Sequence, residues 1–314
     1  MAVFITGGHG HIGSWIAYQM AKKNKKIIIY DIKADYPDYL QEVQDNIIFI
    51  PGDVMDMARL YEMVKKNRDQ IEGIIHTVGI MGEFVAMNPH QHVKLNIEGL
   101  LNILEVARIH KIAKVIYTST GAVYSNKNDS IVNEESPIYP PDLYAATKIS
   151  AEYLGQQYEA TFGIDFRVAR VYFIYGPGKL PSDFIRLYQL AFGALEGLKG
   201  LSLPAGSEQR LDFTYVKDAA KGIGLLFEKE QLHYKIFNIA TGVASKIEQV
   251  MKLSKQASYC TSELKIGSGK LMKRCEALDI TRASKELNYR PVYSLEQGIK
   301  EYSEWIRQNK NSGS

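Results

Sequence analysis

The chain is poor in cysteine: Cys260 and Cys275 are the two thiols among 314 residues. They make neither a C-x-x-C pair nor part of a histidine run. No zinc pattern and no disulfide framework is therefore predicted, no metal ligands are assigned, and a reducing cytoplasm is the expected compartment. A strong excess of either charge is also lacking. A net charge of +3 is too mild for a nucleic-acid or membrane surface. No apolar run approaches the ~18–20 residues that span a bilayer. Ala2–Ile5 is too short for the apolar region of a signal peptide. The lysines Lys22, Lys23, Lys25 and Lys26 read as a solvated helix end. There is no internal repeat and no low-complexity tract. What is present is a chain that is 46% hydrophobic, enough for one large domain or two unequal ones.

The first half alternates short β-branched runs with longer helical patterns. Residues 2–5, 27–30, 47–50, 73–76 and 115–118 read as strands covered on both faces. Residues 11–23, 56–67 and 91–110 read as helices between them. The alternation predicts an α/β fold of Rossmann type, with a doubly wound parallel sheet. After residue 170 the rhythm changes. A turn at Tyr175-Gly-Pro-Gly178 is followed by helices near 183–195, 217–228, 244–258, 281–287 and 295–307, with short extended pieces at 213–216 and 236–240. The expected division is 1–175 for the dinucleotide-binding part and 176–310 for a smaller mixed α/β substrate-binding region, some of whose segments return to the main sheet.

Thr6-Gly-Gly-His-Gly-His-Ile-Gly13 joins the first strand to the first helix. It satisfies both G-x-G-x-x-G (Gly8, Gly10, Gly13) and T-G-x-x-G-x-x-G (Thr6, Gly7, Gly10, Gly13). Such a turn lets bare backbone approach a pyrophosphate, while the helix N-terminus offers free N–H groups. His11 and Ile12 lie in its first helical turn. Asp31, 18 residues beyond Gly13, suits the adenosine ribose hydroxyls and repels a 2′-phosphate, so the expected cofactor is NAD. Lys33 nearby softens that repulsion without reversing the preference. Asp53, with Val54 beside it, suits the adenine edge, although a helix N-cap is an alternative role.

Tyr144-Ala-Ala-Thr-Lys148 places a phenol and an ammonium four residues apart, on one face of a helix. A phenol titrates near ~10 and is a poor base at neutral pH, and a nearby ammonium lowers that value. The expectation is a phenol shifted toward neutrality by Lys148.

Together with the glycine turn, this motif resembles the extended short-chain dehydrogenase/reductase family, which includes nucleotide-sugar epimerases and dehydratases. The resemblance runs nearly end to end. It includes Thr118-Ser-Thr-Gly-Ala-Val-Tyr124, Asn96-Ile-Glu-Gly-Leu-Leu-Asn102, Asp212-Phe-Thr-Tyr-Val-Lys-Asp218 and Asp279-Ile-Thr-Arg-Ala-Ser-Lys285. It implies an NAD-dependent enzyme of hydride transfer, with Thr120, Tyr144 and Lys148 catalytic. Thr120 would bind the substrate hydroxyl, Tyr144 would act as general base or acid, and Lys148 would hold the nicotinamide ribose. His76, Thr77 and Ser119 would line the cofactor. Asn96 would support the site, with a buried, satisfied amide as the alternative. A homodimer through the helices of Asn96 and Tyr144 is implied as well.

Departures from the family pattern narrow the reaction. Sugar dehydratases of the family carry Asp-Glu after the catalytic threonine, where Gly121-Ala122 stands here. Its decarboxylases place a glutamate, and its epimerase-reductases a cysteine, at Ala122. A nucleotide-sugar epimerisation remains as the expected reaction. The alternative is net dehydrogenation of a small polyhydroxy, sugar-acid or hydroxy-acid substrate. The R-x-x-N-x-Y-G pattern has Arg170 but Phe173 in place of asparagine. Leu211 stands where an arginine is usual, with Arg210 one residue earlier. Phe173, Arg210 and Lys270 are the expected substrate contacts, and Lys273 and Arg274 could meet phosphates. Phe173 and Leu211 favour the less anionic alternative.

Overall fold

A computed structural model describes residues 1–35, 37–81, 83–124, 130–258 and 263–311. Cys260 lies outside the described residues. Among them, seven strands form one parallel sheet: β1 (Ala2–Thr6), β2 (Lys26–Asp31), β3 (Ile47–Pro51), β4 (Ile71–His76), β5 (Lys114–Thr120), β6 (Asp165–Val171) and β7 (Ile236–Ile239). Their order across the sheet is β7-β6-β5-β4-β1-β2-β3. The order reverses between β1 and β4. In an open sheet, that crevice beyond the carboxyl ends of the strands is where ligands bind.

The strands are apolar without interruption because both faces are covered. Val3, Ile5, Ile27 and Ile29 pack against Trp15, Ile16 and Met20 of α1 (His11–Lys22). On the other face, Phe4, Ile28 and Tyr30 meet Leu60 and Val64 of α2 (Met57–Asn67) and Leu100, Ile103 and Leu104 of α3 (Pro89–Ile109). Helix α3 starts two residues earlier than its periodicity predicts, because Asn88 accepts from Gln91 N at 3.1 Å and Pro89 occupies the first turn. Helix α4 (Leu143–Phe162) begins at the cap Asp142, which accepts from Ala145 N at 2.8 Å, and ends at Gly163 in the left-handed region.

A third core gathers Leu187, Leu190, Phe192, Leu211, Phe213, Tyr302 and Ile306 from the later segments. Two sequence expectations shift there. The helix expected from 183 begins at Arg186, after a short turn at Pro181–Asp183. The extended piece expected at 213–216 is instead a two-residue strand, Arg210–Leu211, paired with Ser245–Lys246. That pairing also delays the following helix to Ile247.

Candidate active site

The glycine turn is dictated by crowding. Gly7 has φ +73°, and a Cβ on Gly13 would lie 2.2 Å from the Gly7 carbonyl oxygen. The Thr77 hydroxyl braces the same turn by donating to Thr6 O at 2.8 Å. Helix α1 opens at His11 with Gly10 as its N-cap. No side chain caps it and no acidic residue occupies its first turn. Its leading N–H groups are therefore available to an anion. This cradle fits a dinucleotide pyrophosphate.

The His11 side chain is engaged elsewhere. Its ring bonds Gly176 O at 3.1 Å, strapping the glycine turn to the 175–178 turn. Burial, aided by the charge of Lys179, pushes its pKa down to about 3, so the ring is neutral. Ile12 packs against the core beneath α1.

Asp31 ends β2 and is nearly buried. Its two oxygens accept from His9 N and Lys33 N, each at 3.0 Å. Each oxygen keeps a further lone pair for a ribose hydroxyl. Asp53 is exposed and bonds Met55 N at 2.9 Å. It does not cap α2, a role taken by Asp56. Val54 is buried, and its carbonyl accepts from Asn102 at 2.9 Å.

Thr120, at the end of β5, and Tyr144, in the first turn of α4, come near enough for the threonine hydroxyl to act on the phenol. Lys148 follows one helical turn later and is 4% exposed. Its ammonium donates to Thr118 O at 2.9 Å and rests 4.7 Å from the centre of the Tyr117 ring. Gly79 packs closely against it: a Cβ there would stand 3.1 Å from Lys148 Nζ.

The expected direction of the Tyr144 shift is corrected here. Burial pushes the phenol up to about 12; the nearby Thr120 hydroxyl and the charge of Arg274 act the other way, while Asp142 adds to the rise. The physical reason is that desolvating a phenolate costs more than these partners return. The ammonium of Lys148, committed to Thr118 and Tyr117, is not among the groups that lower it. Lys148 itself is pushed down to about 8 by burial, opposed by Glu152.

His76, Asn96 and Ser119 support the site through bonds of their own. His76 bonds the Thr6 hydroxyl at 2.7 Å and is held near 3 by burial, then by Lys148. Asn96 accepts from Ile80 N at 3.0 Å and donates to Ile80 O at 3.3 Å and to Thr147 at 3.1 Å. It is the buried, satisfied amide, and it anchors the loop after β4. The Ser119 hydroxyl donates to Glu152.

The substrate contacts expected from sequence separate into groups. Phe173 has φ +34°, and its ring lies among Tyr172, Tyr188 and Phe213. Arg210 and Lys270 both reach Glu276, each at 3.3 Å. Lys273 is exposed. Arg170 is buried and paired with Glu152, so it is not a substrate anchor. Leu211 is fully buried in the third core, so its apolar character answers to packing rather than to substrate. One residue and one contact were missed: Glu152, four residues beyond Lys148, and the pairing with Asp142 of Arg274, which was expected to meet phosphate. Helical spacing could have flagged the first. Nothing local marks the second.

Residues 3–240 match the NAD dependent epimerase/dehydratase family. The chain belongs to this family. An uncharacterized protein of Methanocaldococcus jannaschii is 30% identical, over 98% of this chain and 97% of its own. A UDP-glucuronate 4-epimerase of Thermodesulfobacterium geofontis is 26% identical, over 97% and 96%. The crystal structure of a Thermotoga maritima UDP-glucose 4-epimerase with UDP-glucose superposes with a TM-score of 0.88 at 24% identity, covering 99% of this chain and 100% of that one. As a member of the family the protein is an NAD-dependent enzyme, and its glycine cradle and Asp31 fit that cofactor.

Proposed function

We propose that the protein is a nucleotide-sugar epimerase in which Thr120, Tyr144 and Lys148 act on a ring carbinol. The convergence of Thr120 and Tyr144 beside the Lys148 ammonium carries this reading. Tyr144 would take the carbinol proton and return it, with Thr120 bonding the same oxygen and sharing the proton. Lys148, with one hydrogen bond from its ammonium among the described residues, keeps donors for the ribose hydroxyls of the cofactor. NAD, when bound, supplies a hydride acceptor and a positive ring that favours the phenolate. Asp31 would hold the adenosine ribose.

Dehydration is disfavoured by space as well as by residue type. A Cβ on Gly121 would lie 2.8 Å from both Leu278 and Tyr172, so a carboxylate there would require both side chains to move. Arg210, Lys270 and Arg274 are each paired with a carboxylate, so the support for a diphosphate-bearing substrate comes from the names of the relatives. Phe173 favours the alternative of a smaller, less anionic substrate. That alternative loses the support of Leu211.

The division into 1–175 and 176–310 belongs to this reading, as do a cytoplasmic setting and a homodimer packed through α3 and α4. Tyr153 and Phe162 of α4 are half exposed and apolar. Tyr153→Glu should shift a dimer to a monomer in sedimentation; a wild-type monomer would refute that part.

The test of the main reading is incubation with UDP-glucose, UDP-glucuronate and UDP-N-acetylglucosamine, followed by NMR. Interconversion of one epimeric pair without net NADH is expected. Steady NADH from a polyol or sugar acid, with no interconversion, would overturn it.

A further inference from the structure

A carboxylate lies one helical turn beyond Lys148. Glu152 follows it by four residues, so the two side chains share a face of α4. Glu152 is completely buried. Its carboxylate accepts from Arg170 Nε at 3.1 and 3.2 Å, from Arg170 Nη2 at 2.6 Å and from the Ser119 hydroxyl. Arg170, on β6, also donates to the Tyr124 hydroxyl at 2.9 Å, and Tyr124 donates to Asn238 of β7 at 2.7 Å. Ser119 and Tyr124 bracket the turn that carries Thr120. One buried ion pair therefore grips both ends of the threonine segment and ties it to the helix of Tyr144 and Lys148. Stability is a weak reason for such a pair, since desolvation consumes most of its attraction.

The charges around Lys148 suggest another reason. Beneath it, from β5, the Tyr117 phenol is pushed well above its ordinary range by burial and is neutral. From β4, His76 is neutral for the reason given above. From α3, His92 is held below its usual range, again chiefly by burial. On α4, Tyr144 is a neutral phenol. Among the described residues facing the ammonium, Glu152 supplies the negative charge that opposes its desolvation.

We propose that Glu152 is a positioning residue of the active site: fixed by Arg170, its carboxylate keeps Lys148 an ammonium and holds the Thr120 segment against α4. This role rests on the reading of Lys148 and Thr120 given above.

The decisive measurement is ¹³Cε-lysine NMR of the whole protein across pH, with the Lys148 signal assigned by its loss in Lys148→Arg. In Glu152→Gln the Lys148 midpoint should fall by about one pH unit or more. The alkaline limb of kcat should move with it, kcat should drop about tenfold and KM should change little. Glu152→Asp should restore part of both. Where Glu152→Gln does not fold, Glu152→Met with Arg170→Met removes both charges at similar volume; because the cation goes with the carboxylate, a smaller shift in the same downward direction is expected. An unchanged Lys148 midpoint in the variant that folds overturns the proposal. The titration needs neither cofactor nor substrate. Failure of the wild type to interconvert nucleotide sugars would thus count against the proposed reaction and leave this result standing.

Discussion

The guanidinium of Arg274 is ion-paired with Asp142, the residue that caps the helix carrying Tyr144. One oxygen of Asp142 holds Ala145 N while the other meets Arg274. The two act oppositely on the phenol: Asp142 raises its pKa and Arg274 lowers it. Arg274→Met should therefore move the phenol further up and reduce kcat several-fold at neutral pH. Asp142→Ala should cost ~1 kcal/mol of stability through loss of the cap. Steady-state kinetics checks the first and urea unfolding the second.

Lys148 sets an upper limit on the working pH. Its pKa lies near 8, so the ammonium is present below that value and is lost as pH rises through it. Activity should fall on the alkaline side with a midpoint near 8. Lys148→Met should remove that limb and lower kcat at every pH. A limb that persists in Lys148→Met would assign it to another group.

Tyr144→Phe deletes the proton carrier and leaves the ring in place. Activity should fall by ~10²–10⁴, while calorimetry should find NAD still bound. Surviving activity would move the general base elsewhere.

Gly13→Ala tests the cradle. Its Cβ would collide with the Gly7 carbonyl and, at 2.8 Å, with the Thr77 hydroxyl. The turn must open, and NAD affinity should fall by more than ~10-fold, about 1.4 kcal/mol. An unaffected dissociation constant would place the pyrophosphate away from this turn.

Phe173→Asn tests the substrate wall. Asparagine tolerates a positive φ better than phenylalanine, and its amide offers hydrogen bonds where a ring now stands. KM for the nucleotide sugar should fall with kcat little changed. A raised KM would favour the smaller substrate.

Strand–helix alternation, the glycine turn, Asp31 and the Tyr144–Lys148 pair were all legible in the sequence. Each is a local relation, set by spacing along one strand, one turn or one helix face. The bonds of Glu152 to Arg170 and of Arg274 to Asp142 join segments distant in sequence, and no periodicity encodes them. The same distinction explains Leu211, which looked like a substrate signal until burial showed it serving the interior. It also explains the Tyr144 phenol. Spacing places an ammonium one turn away, but the sign of the shift is set by every group packed around the oxygen. Only the folded chain decides that sum, because desolvation is a property of a volume and not of a stretch of sequence.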